Sequence, residues 1–116
     1  MLKQLQTSSA FSAISVLALL AAPAAQASGW TAGLTLHMVA DSDYQGEVVQ
    51  FSVDQPIDNS AGCQNTDTYI LRNPNTIKGG LALLTAAFLA GRQVSVFVSG
   101  TCDASGRPNV TAVQIL

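Results

Sequence analysis

The sequence predicts a small α+β domain, mainly β, with the order strand, strand, strand, helix, strand, strand. Three observations carry this expectation. Short runs of alternating apolar residues occur on both sides of residues 76–90. Within residues 76–90 the apolar side chains instead recur at helical spacing. Polar or glycine-containing stretches separate the runs.

Leu34, Leu36 and Met38 alternate with Thr35, His37 and Val39, the period-two pattern of a half-buried strand, with the first three expected inward. After the turn-rich DSDYQG, Val49, Phe51 and Val53 alternate with Val48, Gln50 and Ser52, so the two strands are expected to form a hairpin. Residues 54–66 (DQPIDNSAGCQNT) are polar and read as a loop that Cys63 would tie down. Residues 69–72 form a third, short strand ended by Asn73 and Pro74.

Residues 76–90 form the helix. Asn75 or Thr76 can cap its start, and Gly91 with Arg92 supplies a C-terminal glycine and a cation near the negative dipole end. Ile77, Leu81, Leu84 and Phe88 follow at steps of four, three and four, within about 60° of one another around the axis, and are expected to plug the core. Val94, Val96 and Val98 alternate with Ser95, Phe97 and Ser99 in a fourth strand. Residues 109–115 make a fifth after the turn ASGRP. In a chain this short, this order is that of the OB-fold, a five-stranded Greek-key barrel with a helix between strands 3 and 4 covering one end. Other small α+β arrangements share the order. Closure suits a chain with only 10% charged residues, because a barrel leaves few unpaired strand edges.

The N-terminus reads as an export signal. Lys3 precedes an apolar run over residues 10–22, which is too short to cross a bilayer core of about 30 Å as a helix. Pro23 ends the run, and Ala25 and Ala27 fit a small-residue cleavage site. Residues 1–27 are then a signal peptide and residues 28–116 a single domain, secreted or periplasmic, with no membrane span in the mature form. A membrane helix retained for life is the alternative.

Export sets the reading of the cysteines. Cys63 and Cys102 are the only two, and in an oxidising compartment they imply one disulfide. A zinc site would have only these two and the distant His37 to draw on, and a redox pair lacks the C-x-x-C spacing. With Arg72, Lys78, Arg92 and Arg107 the only cations after residue 27, nothing resembles a nucleic-acid footprint.

No catalytic constellation is evident, so the expectation is a non-enzyme without cofactor or metal. A nucleophile needs a base that a third group orients, and His37, the single histidine, falls mid-strand on the outward side. Asp41, Asp43 and Glu47 cluster in one turn, where glycosidase chemistry or weak calcium binding competes with the ordinary role of acids as solvated turn formers. The Asn109, Val110, Thr111 sequon falls in an expected strand. Among the aromatic residues that could stack on a sugar ring, Tyr69 reads as a barrel-strand residue and Trp30 as packing for the mature N-terminus. Tyr44, at a loop tip, is the candidate ligand-binding residue.

Cys63 shortly before TYIL, the segment ALLTAAFLAGRQVSVFVSG, then Thr101 and Cys102, together with the signal peptide, give a chain that resembles small exported bacterial proteins similar to the B subunit of subtilase cytotoxin. The resemblance covers most of residues 46–116. It implies an OB-fold subunit with a disulfide and, as in the toxin, a ring of five that binds cell-surface glycans and carries a catalytic subunit. It matches no glycan-contacting residue to a position here. Independently, Gly79, Ala82, Leu83, Ala86, Leu89 and Ala90 lie opposite the expected core stripe, and Lys78 is the helix's only charge. A helix apolar all round is usually buried all round, which makes Ala82, Leu83, Ala86, Leu89 and Ala90 a candidate homo-oligomer face. The alternative is that alanine is there as a strong helix former that tolerates water. The functional expectation is a disulfide-bonded binding module, a glycan-recognising B-type subunit or one that engages a protein receptor. The alternative is a stand-alone periplasmic structural or inhibitory protein with no sugar ligand.

Overall fold

The structure, a computed structural model, describes residues 28–116. The expected signal peptide, residues 1–27, lies outside the described residues. Among the described residues six strands and one helix follow in the order β1 (Gly29–Trp30), β2 (Leu36–Ser42), β3 (Val48–Val53), β4 (Tyr69–Leu71), α1 (Ile77–Ala90), β5 (Val94–Cys102) and β6 (Pro108–Ile115). They build one mixed sheet in the order β1-β5-β6-β4-β3-β2, in which only β4 and β6 run parallel. The protein is therefore α+β and mainly β. Where five strands closed into a barrel were expected, the sheet has six and its ladders do not close: Gly29 and Trp30, ahead of the first expected strand, form a strand of their own, and Leu34 stands outside β2 as an isolated bridge. Gly29 and Trp30 pair with Val98 and Phe97 at one end of the sheet, while β2 pairs with β3 at the other. Between them Leu34 bridges to Val94, with hydrogen bonds in both directions of 2.7 and 3.0 Å.

A second departure lies within β2. Leu36 pairs with Val53 and Met38 with Ser52, so His37 is an extra residue, a bulge that reverses the inward and outward phase. Leu34 and Leu36 are buried as expected, but beyond the bulge Val39, opposite Phe51, packs on the core and Met38 is left exposed.

The helix begins and ends where the sequence indicates. Thr76 stands at the N-cap but makes no side-chain cap bond. Asn73 Oδ1 instead accepts from the Asn75 N–H at 2.9 Å. At the other end Gly91 is left-handed (φ 67°, ψ 27°), and the Gly91 and Arg92 N–H groups close the last turn on Phe88 and Ala87. The buried stripe, however, is Ile77, Gly80, Leu84 and Ala87, with Leu81 half-buried and Phe88 exposed. Close approach explains this correction. A Cβ at Gly80 would collide with Leu71 Cδ2, so the helix lies close against the sheet at Gly80, and the stripe that meets it runs from Ile77 through Gly80 and Leu84 to Ala87 with the bulky Phe88 turned out.

The core joins Phe51 and Tyr69, whose rings are 5.4 Å apart, to Leu71, Leu84, Val94, Val96, Val98 and Val110. Tyr69 is fully buried yet its hydroxyl accepts from the Asp58 N–H at 2.7 Å, anchoring the 54–66 loop to the core. Burial also raises the Tyr69 pKa, the expected result of taking a phenol out of water. Cys63 and Cys102 form the disulfide. Asn59 holds the Cys63 backbone on both sides, accepting from its N–H at 2.7 Å and donating to its carbonyl at 3.0 Å.

Candidate functional site

The hairpin turn at residues 43–47 and the β5–β6 turn at residues 103–107 rise on either side of β3 and β4. A cleft of about 290 Å³ lies between them, lined by Ser42, Tyr44, Val48, Gln50, Ile70, Arg72, Ser105 and Arg107. Tyr44, the ligand candidate from the sequence, stands on one lip and is 60% exposed.

Arg72, at the end of β4, joins the two lips. Its Nε and Nη2 donate to the two Asp103 carboxylate oxygens at 2.8 and 3.2 Å, and its Nη1 donates to the Tyr44 and Gln45 carbonyls at 3.0 and 2.9 Å. Gln45 sits at φ 55°, a conformation that disfavours a side chain and persists only where its surroundings hold it. The bonds from Arg72 supply that hold. On the other lip Asp103 also accepts from the Ser105 N–H and hydroxyl at 3.0 and 2.8 Å, and the turn closes through the Gly106 N–H to Asp103 carbonyl bond. The Arg72 guanidinium, with the Ser105 donors, holds the buried Asp103 carboxyl at about 2, against the desolvation that would raise it.

A second bidentate pair fixes the outer flank. Arg107 Nε and Nη2 donate to Asp67 at 2.7 and 3.0 Å, lowering the Asp67 pKa, and Asn65 donates to the Ser105 and Gly106 carbonyls. The disulfide joins the 54–66 loop to Cys102, the residue before Asp103. Both lips and the long loop are thus tied by one covalent bond and two charge-assisted forks.

The other sequence candidates do not line this cleft. His37, exposed at the bulge, has its Nδ1 3.5 Å from Asp54 Oδ1. Asp41, Asp43 and Glu47 are exposed, and among the described residues no group of three His, Cys, Asp or Glu is arranged to hold a metal. Trp30, half-exposed, meets Phe97 edge to face at 5.6 Å. Asn109 is half-buried and donates to Thr101 Oγ1 at 3.1 Å. Ala82, Leu83, Ala86, Leu89 and Ala90 are all exposed, with Leu89 at 80%. Among the described residues no helix is long and apolar enough to cross a membrane.

A larger cleft of about 500 Å³ lies beyond Arg72 and Asp103, but its Ser99, Thr101 and Asn109 side chains hydrogen-bond to one another and it has no aromatic wall. The Tyr44 cleft is the better candidate because it combines an exposed ring with polar groups on fixed loops. Sequence reasoning found Tyr44 but not Gln50, Arg72, Asp103, Ser105 or Arg107. The available signal was scarcity: in a chain with five Lys and Arg, two arginines at the ends of polar turns stand out.

No family is matched. Comparison with family models finds no match for the chain, and comparisons with curated proteins and with solved structures find none either. The functional reading therefore rests on the residues themselves.

Proposed function

We propose that the protein is an exported binding module that recognises a glycan in the cleft beside Tyr44, on an OB-like barrel. The single observation that carries this is the placement of an exposed tyrosine on a lip braced by Arg72, above a sheet face that supplies Gln50. An aromatic ring offers apolar area to a sugar face, and the nearby amide and hydroxyls offer partners to its hydroxyls.

The barrel reading is supported by the continuity of β1 and β2. They are successive stretches of one segment, they stand at the two ends of the sheet, and the Leu34–Val94 bridge lies between them. Counted as one bent strand, they restore the five-strand order with the helix after the third. In an OB-fold the ligand face is formed by the second and third strands with the flanking loops, which is where the Tyr44 cleft lies. A disulfide supports an oxidising destination, secreted or periplasmic. The exposed helix face, with Leu83, Phe88 and Leu89 open and Lys78 its only charge, supports packing against a second copy, as the resemblance to toxin B subunits implies.

Probing a glycan array with the oxidised protein and with Tyr44→Ala tests this reading. Binding by the parent and its loss in the variant is the expected result. A folded, oxidised parent that binds no glycan would leave the stand-alone structural or inhibitory role.

A further inference from the structure

Two guanidinium groups line the Tyr44 cleft, which taken alone would indicate an anionic ligand. Both are already neutralised. Each of the three Arg72 nitrogens is engaged, two by Asp103 and one by the Tyr44 and Gln45 carbonyls. Arg107 spends Nε and Nη2 on Asp67. The carboxylates hold their protons weakly in these pairs, Asp103 at about 2 and Asp67 below its ordinary value, so both pairs stay fully ionised at neutral pH. An incoming anion would have to compete with a carboxylate already seated in each fork, and a bidentate arginine pair is among the stronger charge-assisted contacts. The turn that carries Tyr44 adds Asp41, Asp43 and Glu47, all exposed and with no cation among residues 41–47, in a chain of net charge −2. The field at the mouth of the cleft therefore opposes negative charge.

What remains for a ligand is uncharged. Gln50 Nε2 donates to Thr68 Oγ1 at 3.1 Å, leaving its amide oxygen as an acceptor. Ser105 Oγ donates to Asp103 and keeps its lone pairs. Arg107 Nη1 keeps its donors, and the Ser42 and Tyr44 hydroxyls can do either. Mixed donors and acceptors beside an aromatic face suit hydroxyl groups, which both donate and accept. We propose that this cleft takes a neutral, hydroxyl-rich saccharide ring stacked on Tyr44 and discriminates against carboxylated or sulfated forms of the same sugar. The inference rests on the glycan-binding reading and adds to it the class of ligand and the residues that set it.

The test is an array of paired oligosaccharides, each neutral backbone printed beside versions bearing a carboxylate, a sulfate ester or a free amine. It is probed with the oxidised protein expressed from the full sequence, with Tyr44→Ala and with Asp67→Asn. The Asp67 side chain is 59% exposed, so its replacement leaves the core intact and frees Arg107. The expected result is binding of neutral members at least about tenfold tighter than their anionic twins, loss of binding in Tyr44→Ala, and a narrowing of that gap in Asp67→Asn. A parent that prefers the anionic or amine members overturns the neutral class while leaving glycan binding standing. An unchanged profile in Asp67→Asn overturns the role given to the Arg107–Asp67 pair. No binding by the folded parent removes the glycan reading and this inference together.

Discussion

Replacing Asp103 with Asn removes the charge that joins the two lips of the cleft while preserving its size. The Asp103 side chain is 4% exposed and Arg72 is 26% exposed, so solvent screens the pair only in part. A carboxyl held at about 2 from an ordinary 3.8 corresponds to about 2 kcal/mol of native-state stabilisation at neutral pH. In a domain of about 90 residues that loss lowers the melting temperature by roughly 10 °C. The pH dependence provides a second readout. Because the folded-state value is depressed, the contribution is complete above about pH 4, where the unfolded group is also ionised, and is lost as pH falls through about 2. Thermal melts by circular dichroism between pH 7 and pH 2 should show the parent losing this increment over that acid window and Asp103→Asn losing correspondingly less. A variant melting within a degree or two of the parent at pH 7, or falling as steeply in acid, would refute the assignment of Arg72 and Asp103 as a stabilising clamp.

Serine at Cys63 or Cys102 should cost up to about 4 kcal/mol, the loop-closure value for the 39-residue separation, and reductant should lower the parent's melt similarly. The neighbouring helix glycines should respond oppositely. Gly79→Ala meets open space and should stabilise by about 0.5–1 kcal/mol in a urea titration, whereas Gly80→Ala must displace the buried Leu71 Cδ2 and should destabilise by about 1 kcal/mol or more. Leu89→Glu, at a position 80% exposed, should leave the melt of a monomer unchanged. If the helix face pairs with a second copy, light scattering should show the parent as an oligomer and this variant as a smaller species. A monomeric parent at micromolar concentration would sink the self-association proposal.

Most of the fold was legible because apolar period and turn chemistry are local signals. The inward valines of β5, the β2–β3 hairpin, the polar 54–66 stretch and the helix ending at Gly91 all stand where the alternation and punctuation put them. The errors arose where a local pattern met a non-local contact. At His37 the period-two pattern ran on unbroken, yet the partner strand runs one residue short, so the inward place passes from Met38 to Val39. On the helix, the four-three-four spacing of Ile77, Leu81, Leu84 and Phe88 placed Phe88 inward, but the close approach to Leu71 at Gly80 rotates the buried stripe onto Gly80 and Ala87. The cleft was visible only at Tyr44, because Arg72 and Asp103 are 31 residues apart and no spacing in the sequence announces that their turns meet.

The use of charge links stability to recognition. This chain has five cations, and two of them brace the loops of a single cleft, each in a fork with an acid. Those residues would contribute little if scattered over the surface, since exposed ion pairs are worth about 1 kcal/mol or less. Placed here, with the disulfide behind them, Arg72 holds Gln45 in its unfavourable conformation and Tyr44 at the rim, while Arg107 ties the facing turn to Asp67, before any ligand arrives. Ordering a loop during association subtracts from affinity, so a lip already ordered lets a few weak contacts suffice. The same neutralised forks remove the strong anion attraction that a pair of arginines would otherwise provide. Fixed loops and cancelled charge are thus two consequences of one arrangement, and both are what the proposed binding of an uncharged saccharide through modest contacts requires.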